Sequence, residues 1–178
     1  MEYQELLLKR RSIRSYDKDG KPEESDVREL IAAALEAPTW KNTETGRYYC
    51  ILSEEQCEKF RRECLPAFNA ERTVNASYII TTYVKNTAGF SNEGEPNNEV
   101  GNGWGCFDLG LQVENLLLKA SECGFSTLVM GIRDADRIRS FLSIPEEEAV
   151  MAVLAVGQTS SYTARPKRKD VSEVLKFC

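Results

Sequence analysis

The chain has 178 residues, an apolar share of 42% and a formal net charge of -5. Those values fit one globular domain over residues 1–178, and the acidic balance argues against a nucleic-acid surface. Histidine is absent, which excludes Ser-His-Asp hydrolysis, papain-like cysteine chemistry and histidine-ligated metals, so any enzymatic reactivity is expected on a bound cofactor.

Residues 2–11 read as a short helix running into Arg10-Arg11-Ser12-Ile13-Arg14. Guanidinium is the planar fork best suited to paired hydrogen bonds with phosphate, and a hydroxyl beside it adds a contact. Arginines also favour the last turn of a solvated helix, and the cluster alone does not choose between the two readings. Residues 17–22 form a turn. Val27, Leu30, Ile31, Ala34 and Leu35 then repeat at helical spacing over 23–36, and Pro38 ends that helix.

In Ala37-Pro38-Thr39-Trp40-Lys41-Asn42-Thr43 a hydroxyl, an indole and an amide follow the stop. Such a segment can bond the edge of a heterocycle. Taken by itself, it is better read as a turn with Trp40 in the core. A strand follows over 47–52, then helices over 54–64 and near 67–74. Asn69 and Arg72 share one face of the second of these, as many surface pairs do.

Residues 78–84 are the clearest strand, largely β-branched and aromatic. The polar stretch 86–103 is too long for a plain connection and reads as a lid, binding loop or insertion. Gly101, Gly103 and Gly105 imitate a dinucleotide fingerprint, but they follow a loop bearing Glu93, Glu95 and Glu99 instead of a strand. They are expected to be hinge and packing positions.

Residues 104–123 are apolar around most of their circumference, as in a helix buried in a core or at a subunit interface. Gly105 and Gly110 there are expected to admit a close neighbour. A strand over 127–132 ends in glycine, and a short helix covers 134–142. The apolar run 150–157 fits a central strand buried on both faces. The tail carries Arg165-Pro166-Lys167-Arg168-Lys169, either a solvated terminus or the completion of the anion site begun at Arg10 and Arg14, and then a short helix to Phe177.

No apolar run approaches the length of a membrane span, and the opening Met-Glu-Tyr-Gln-Glu lacks the bases of an export signal. Six scattered cysteines without a C-x-x-C pair read as free thiols in a reducing cytoplasm. Cys57 and Cys64, two helical turns apart, are expected to pack. Several helices mixed with four or five strands imply an α+β or α/β fold.

Taken in order, these segments resemble the FMN-dependent nitroreductase family over nearly the whole chain. The R-[RH]-S-x-[RK] signature is matched by Arg10 to Arg14, and A-P-[ST]-x-x-N by Ala37 to Asn42. The N-x-x-[KR] pair before a strand opening A-[SP] is matched by Asn69, Arg72, Ala76 and Ser77. The glycine closing a strand is Gly131, and the basic segment before an E-V helix is Arg168 with Glu173-Val174.

The resemblance implies an α+β fold with a central, mainly antiparallel sheet flanked by helices, assembled as an intertwined homodimer. It implies FMN as cofactor, NADH or NADPH as donor, and a small-molecule acceptor such as a nitroaromatic or quinone, served in ping-pong fashion on one open flavin face. Relatives with dehalogenase-like or flavin-destroying chemistry, and a non-catalytic FMN-binding protein, are the alternatives.

By the same resemblance, Arg10, Ser12 and Arg14 hold the phosphate and ribityl chain, with Arg11 adding backbone and stem and Arg168 reaching in from the tail. Asn69 bonds the pyrimidine edge. Arg72 puts positive charge near N1–C2=O, and Met130 and Gly131 present backbone near N5. Pro38, Thr39, Trp40 and Asn42 come from the other subunit. No side chain acts as a catalytic acid or base, since the flavin carries the chemistry. The loop departs from the family's frequent Q-P-W at Glu44-Thr45-Gly46-Arg47, which leaves the substrate side open.

Overall fold

The computed structural model describes residues 2–178. Helix α1 spans Tyr3–Lys9, α2 Glu24–Leu35, α3 Glu54–Cys64, α4 Ala67–Arg72, α5 Gly103–Glu122 and α6 Ala135–Leu142. Strands are β1 Gly46–Ile51, β2 Ser77–Val84, β3 Ser126–Met130 and β4 Glu148–Gly157. They form one sheet in the order β1-β2-β4-β3, with every neighbouring pair antiparallel. This is the sheet that the resemblance implies.

The apolar runs explain why β2 and β4 lie at the centre. A strand's side chains alternate between faces, so a continuous apolar run needs cover on both. Tyr78 and Ile80 of β2, with Val153 and Ala155 of β4, face a core closed by Phe60 of α3 and Ile138 of α6. Ile79, Leu154 and Val156 face the opposite core, closed by Leu30 of α2 and by Leu116 and Ala120 of α5. Three layers result. Each fully buried large side chain, such as Leu30, Phe60 or Leu116, contributes about 1.5–3 kcal/mol by leaving water.

Helix α5 lies close to the sheet because Gly105 has no side chain there. A Cβ at Gly105 would strike the Tyr83 ring. At Gly110, by contrast, a Cβ would meet no atom of this chain within 4 Å beyond its own helix. Cys57 and Cys64 are buried in the core, as packing residues are, and burial pushes the Cys64 thiol up to about 11. All six cysteines are free.

Two elements, the end of β3 and the tail helix, differ from the sequence-based expectation, while 86–103 is the long loop expected. Strand β3 stops at Met130, before the glycine that was expected to close it, because Gly131 to Arg133 turn away toward α6. The stretch 86–103 is built of turns around a Phe90–Pro96 bridge, and the Asn98 side chain accepts from the Trp104 indole at 2.9 Å. The tail holds a single 3-10 turn, Val171–Glu173, in place of a helix. Its Val174, Leu175 and Phe177 side chains are exposed and find nothing in this chain to pack a helical face against.

Candidate functional site

Helix α1 ends at Arg10, whose backbone turns extended. The next residues run beside the free edge of β3. Ser12 bridges Thr127 in parallel, and the Ile13 N–H donates to the Thr127 carbonyl at 2.9 Å. Ile13 is buried in the α3/α6 core. In extended backbone its neighbours Ser12 and Arg14 therefore point to the other face. The Tyr16 hydroxyl fixes this path by donating to the carbonyls of Ile13 and Ala155.

The three arginines are poorly compensated. Arg11 donates to the Arg10 carbonyl at 2.6 Å and Arg14 to the Ser12 carbonyl at 3.2 Å. Arg10 reaches one carboxylate, Glu114 of α5, at 3.9 Å, where an ion pair is weak. A cavity of about 460 Å³ opens beside them. Lys9, Arg10 and Arg11 line it with hydroxyls from Ser121, Ser126, Thr127 and the segment 159–163, and no carboxylate does. Ser12 and Arg14 are not among its lining residues, in keeping with their opposite orientation.

Lys9 has a separate task. Its ammonium donates to the Ser121 carbonyl at 3.4 Å, in the last turn of α5, where a cation offsets the helix dipole. The tail returns to the basic cluster through Thr159 and Ser161 to Thr163, which line the cavity. Arg168 does not follow them into it. It is exposed, and among the described residues no hydrogen bond or ion pair joins it to Arg10 or Arg14. A single copy of the chain thus brings the start of the tail, and not Arg168, to the arginines.

The turn after α2 is the most strained segment of the site. Lys41, Asn42 and Glu44 take φ of 47°, 55° and 47°, left-handed values that cost side-chain-bearing residues on the order of 1 kcal/mol each. Internal bonds hold its shape. Thr43 bonds the Trp40 carbonyl through both its N–H and its hydroxyl. The Glu44 N–H donates to the Thr39 hydroxyl at 3.2 Å, and the Asn42 amide donates to the Glu44 carboxylate at 3.2 Å.

Two side chains of α5 hold the flanks of this turn. Asp108, buried, accepts the Trp40 N–H at 2.8 Å. Gln112, one turn later, accepts the Tyr48 hydroxyl at 2.9 Å. Burial pushes Tyr48 up to about 12, so this hydroxyl stays a donor at neutral pH. Trp40 is not a core residue as the plain-turn reading has it. It is half-buried against Trp104, with ring centroids 4.6 Å apart, and Trp104 meets Phe107 edge-on.

The third part joins α4 to the end of β3. Asn69 is buried, and its side-chain amide donates to the Ile132 carbonyl at 2.8 Å. Asn69 and Gly131, far apart in sequence, thus become neighbours. Met130 is buried and Gly131 exposed. The Arg72 guanidinium lies over the Phe68 ring, 5.7 Å from its centroid. Arg133 donates to the carbonyls of Gly131 and Val150 and so stiffens the backbone after the strand.

Four of these residues escape the sequence reading. Asp108 and Gln112 carry a legible signal, two polar side chains at i and i+4 among the apolar positions Leu109, Val113 and Leu116 of α5. Lys9 and Arg133 carry none, because their partners are backbone carbonyls.

Residues 7–158 match the model of the Nitroreductase family. Among curated proteins no significant sequence match is found. Among solved structures, a nitroreductase family protein from Streptococcus pneumoniae TIGR4 superposes with a TM-score of 0.83 at 19% identity, covering 98% of this chain and 99% of that one. A candidate NAD(P)H:FMN oxidoreductase from Staphylococcus epidermidis gives 0.84 at 18% identity, covering 99% and 96%. An oxidoreductase described as containing FMN gives 0.76 at 25% identity, covering 90% and 79%. The family match takes in the arginine segment, the strained turn and all four strands: the chain belongs to the nitroreductase family.

Proposed function

We propose that the chain is a cytoplasmic FMN-dependent oxidoreductase. It takes hydride from NADH or NADPH and delivers it to a small acceptor such as a nitroaromatic or a quinone, alternating the two on one flavin face. The observation that carries this reading is the poorly compensated arginine segment along the free edge of β3, beside a cavity that Arg10 and Arg11 line with a rim of hydroxyls and no carboxylate. A phosphate group satisfies those donors without opposing charge. The neighbour described as containing FMN, the neighbour named as an NAD(P)H:FMN oxidoreductase and the family match support the same cofactor.

The edge of β3 gives the cofactor its length. Thr127, paired with Ser12, and Gly131 are four residues apart, about 13 Å along an extended strand. That distance suits a phosphate at one end, a ribityl chain between and a ring at the other. Arg10 binds the phosphate from the cavity and Arg11 supplies backbone and stem; Ser12 and Arg14, on the other face of the segment, and Arg168, which a single copy leaves outside the cavity, are assigned to the phosphate and ribityl hydroxyls by the family resemblance. Asn69 bonds the pyrimidine edge through the carbonyl oxygen its own tie leaves free. Arg72 holds positive charge near that edge, and Met130 and Gly131 offer backbone to the central ring.

Bound FMN supplies the redox chemistry, accepting two electrons as hydride and passing them on. The chain's residues bind, orient and tune. With no histidine present, protons for the acceptor come from water.

The protein acts as a homodimer in which Pro38, Thr39, Trp40 and Asn42 of one copy complete the pocket of the other. Two features support association. The tail leaves Val171, Val174 and Phe177 exposed, more apolar surface than a lone chain favours. An apolar groove of about 620 Å³ between α2 and β1, lined by Val27, Ile31, Leu35 and Leu52, stands open.

The visible spectrum of freshly purified protein tests the cofactor. The two absorption bands of oxidised flavin are expected, and colourless protein that fails to take up added FMN overturns the assignment. Steady-state oxidation of NADH or NADPH with menadione tests the activity. Flavin bound without turnover would make the chain an FMN carrier.

A further inference from the structure

We infer that Asp108 is a positioning residue: its buried carboxylate places the strained Thr39–Glu44 turn where that turn can meet the flavin. The inference rests on the flavin reading only for its last step. The first step, that Asp108 places the turn, rests on geometry alone.

The bonds within the turn fix its shape but not its position. Thr43 to Trp40, Glu44 to Thr39 and Asn42 to Glu44 are all local. Among the described residues, the bond from the Trp40 N–H to Asp108 is the one hydrogen bond that residues 39–44 make to a distant part of the chain. Three left-handed residues in four are a conformation that persists only where the surroundings over-determine it. One firm anchor to a long helix supplies that constraint. Gln112 supports it from the other flank by accepting from Tyr48.

Asp108 has no better explanation as a core residue. It sits at 4% exposure on α5, between Leu109 and other apolar positions. A leucine there would fit the helix at least as well and avoid burying a charge. What leucine could not do is accept an N–H. The carboxylate does so with a charge-assisted bond, stronger than a neutral amide or hydroxyl would give. Trp40 then rests on Trp104, so the same anchor sets the indole that lines one side of the turn.

The chain has two tryptophans, and they touch. Their coupled far-ultraviolet circular dichroism reports the position of the turn without any flavin. The test uses full-length protein as purified and compares wild type with Asp108→Asn and Asp108→Ala. Three readouts are taken: exchange of the Trp40 amide, the tryptophan couplet and the rate of FMN release on dilution.

In Asp108→Asn the weaker neutral acceptor is expected to speed Trp40 amide exchange about tenfold and to leave the couplet in place. In Asp108→Ala the couplet is expected to collapse and FMN to leave more than about tenfold faster. Amide exchange and FMN release equal to wild type in Asp108→Asn overturn the inference, and that variant decides alone if Asp108→Ala fails to fold. Should wild type bind no FMN while exchange and couplet respond as stated, the flavin reading fails and the placement of the turn by Asp108 stands.

Discussion

The Asn69 side-chain amide donates to the Ile132 carbonyl at 2.8 Å and so ties α4 to the segment that leaves β3. Asn69 is buried, while the next turn of the same helix ends in the exposed Arg72. The two members of one short motif are thus held differently: Asn69 ties two segments together, while the Arg72 guanidinium lies over the Phe68 ring.

Asn69→Ala removes this tie from the Ile132 carbonyl. A loss of about 1–2 kcal/mol in folding stability is expected, read by urea unfolding. FMN affinity is expected to fall by more than that loss explains, because the carbonyl oxygen of Asn69 goes as well. Asn69→Asp separates the two effects. It cannot donate to Ile132 but keeps an acceptor oxygen for the pyrimidine edge, so FMN titration is expected to show tighter binding than in Asn69→Ala at a similar loss of stability. Equal FMN affinity in wild type and both variants would remove Asn69 from the cofactor site.

Arg10→Ala and Arg14→Ala are expected to weaken FMN retention by about 1.5–3 kcal/mol each, the range for hydrogen bonds to charged groups. Lys9→Ala is expected to do little to FMN, because its ammonium serves the carbonyl of Ser121 at the end of α5. It lowers stability instead, by about 0.3–1 kcal/mol. Equilibrium dialysis with FMN and thermal unfolding of the three variants check both halves. Equal FMN retention in all three removes the phosphate assignment.

The layers of this fold are legible from periodicity. The apolar runs of β2 and β4 demand cover on two faces, and α2, α3 and α5 offer apolar stripes to give it. The arginine segment is legible as chemistry but not as geometry. Nothing in Arg10 to Arg14 shows that Ile13 is a buried anchor, which is what sends Ser12 and Arg14 to one face. The Trp40 turn is legible as a motif only, since its place depends on Asp108, 68 positions later. The tail helix misleads because helical spacing at Val171, Val174 and Leu175 is a demand for a partner surface, and one chain does not provide it.

Gly46 is required by contact and not by backbone freedom. A Cβ there would strike the Gln112 side-chain oxygen, which is buried and already accepts from Tyr48. Gly46→Ala is expected to cost about 1–3 kcal/mol by overpacking. It also displaces Gln112 from the hydroxyl of Tyr48. The double variant Gly46→Ala with Gln112→Ala makes room, and is expected to recover part of the loss. A thermal unfolding series over the four proteins measures the coupling, and strictly additive losses would show that the two sites do not touch.

The same hydroxyl sets an alkaline limit. Burial pushes Tyr48 up to about 12, above the ordinary tyrosine value of 10.0, and Tyr16 and Tyr78 are raised in the same direction by burial. A group whose folded pKa is raised holds its proton more tightly in the native state. Its contribution to stability is complete below the unfolded value and is lost as pH climbs toward the folded one. Unfolding free energy is therefore expected to be flat with respect to these phenols from pH 7 to 9 and to fall between pH 10 and 12. Tyr48→Phe reverses part of that slope. It begins less stable at pH 7 by about 1 kcal/mol, since Gln112 loses its donor, but it loses less on going to pH 11. Urea titrations of both proteins at pH 8 and pH 11 check the sign, and an unchanged difference between them at the two pH values would mean that Tyr48 titrates alike in the folded and unfolded chain.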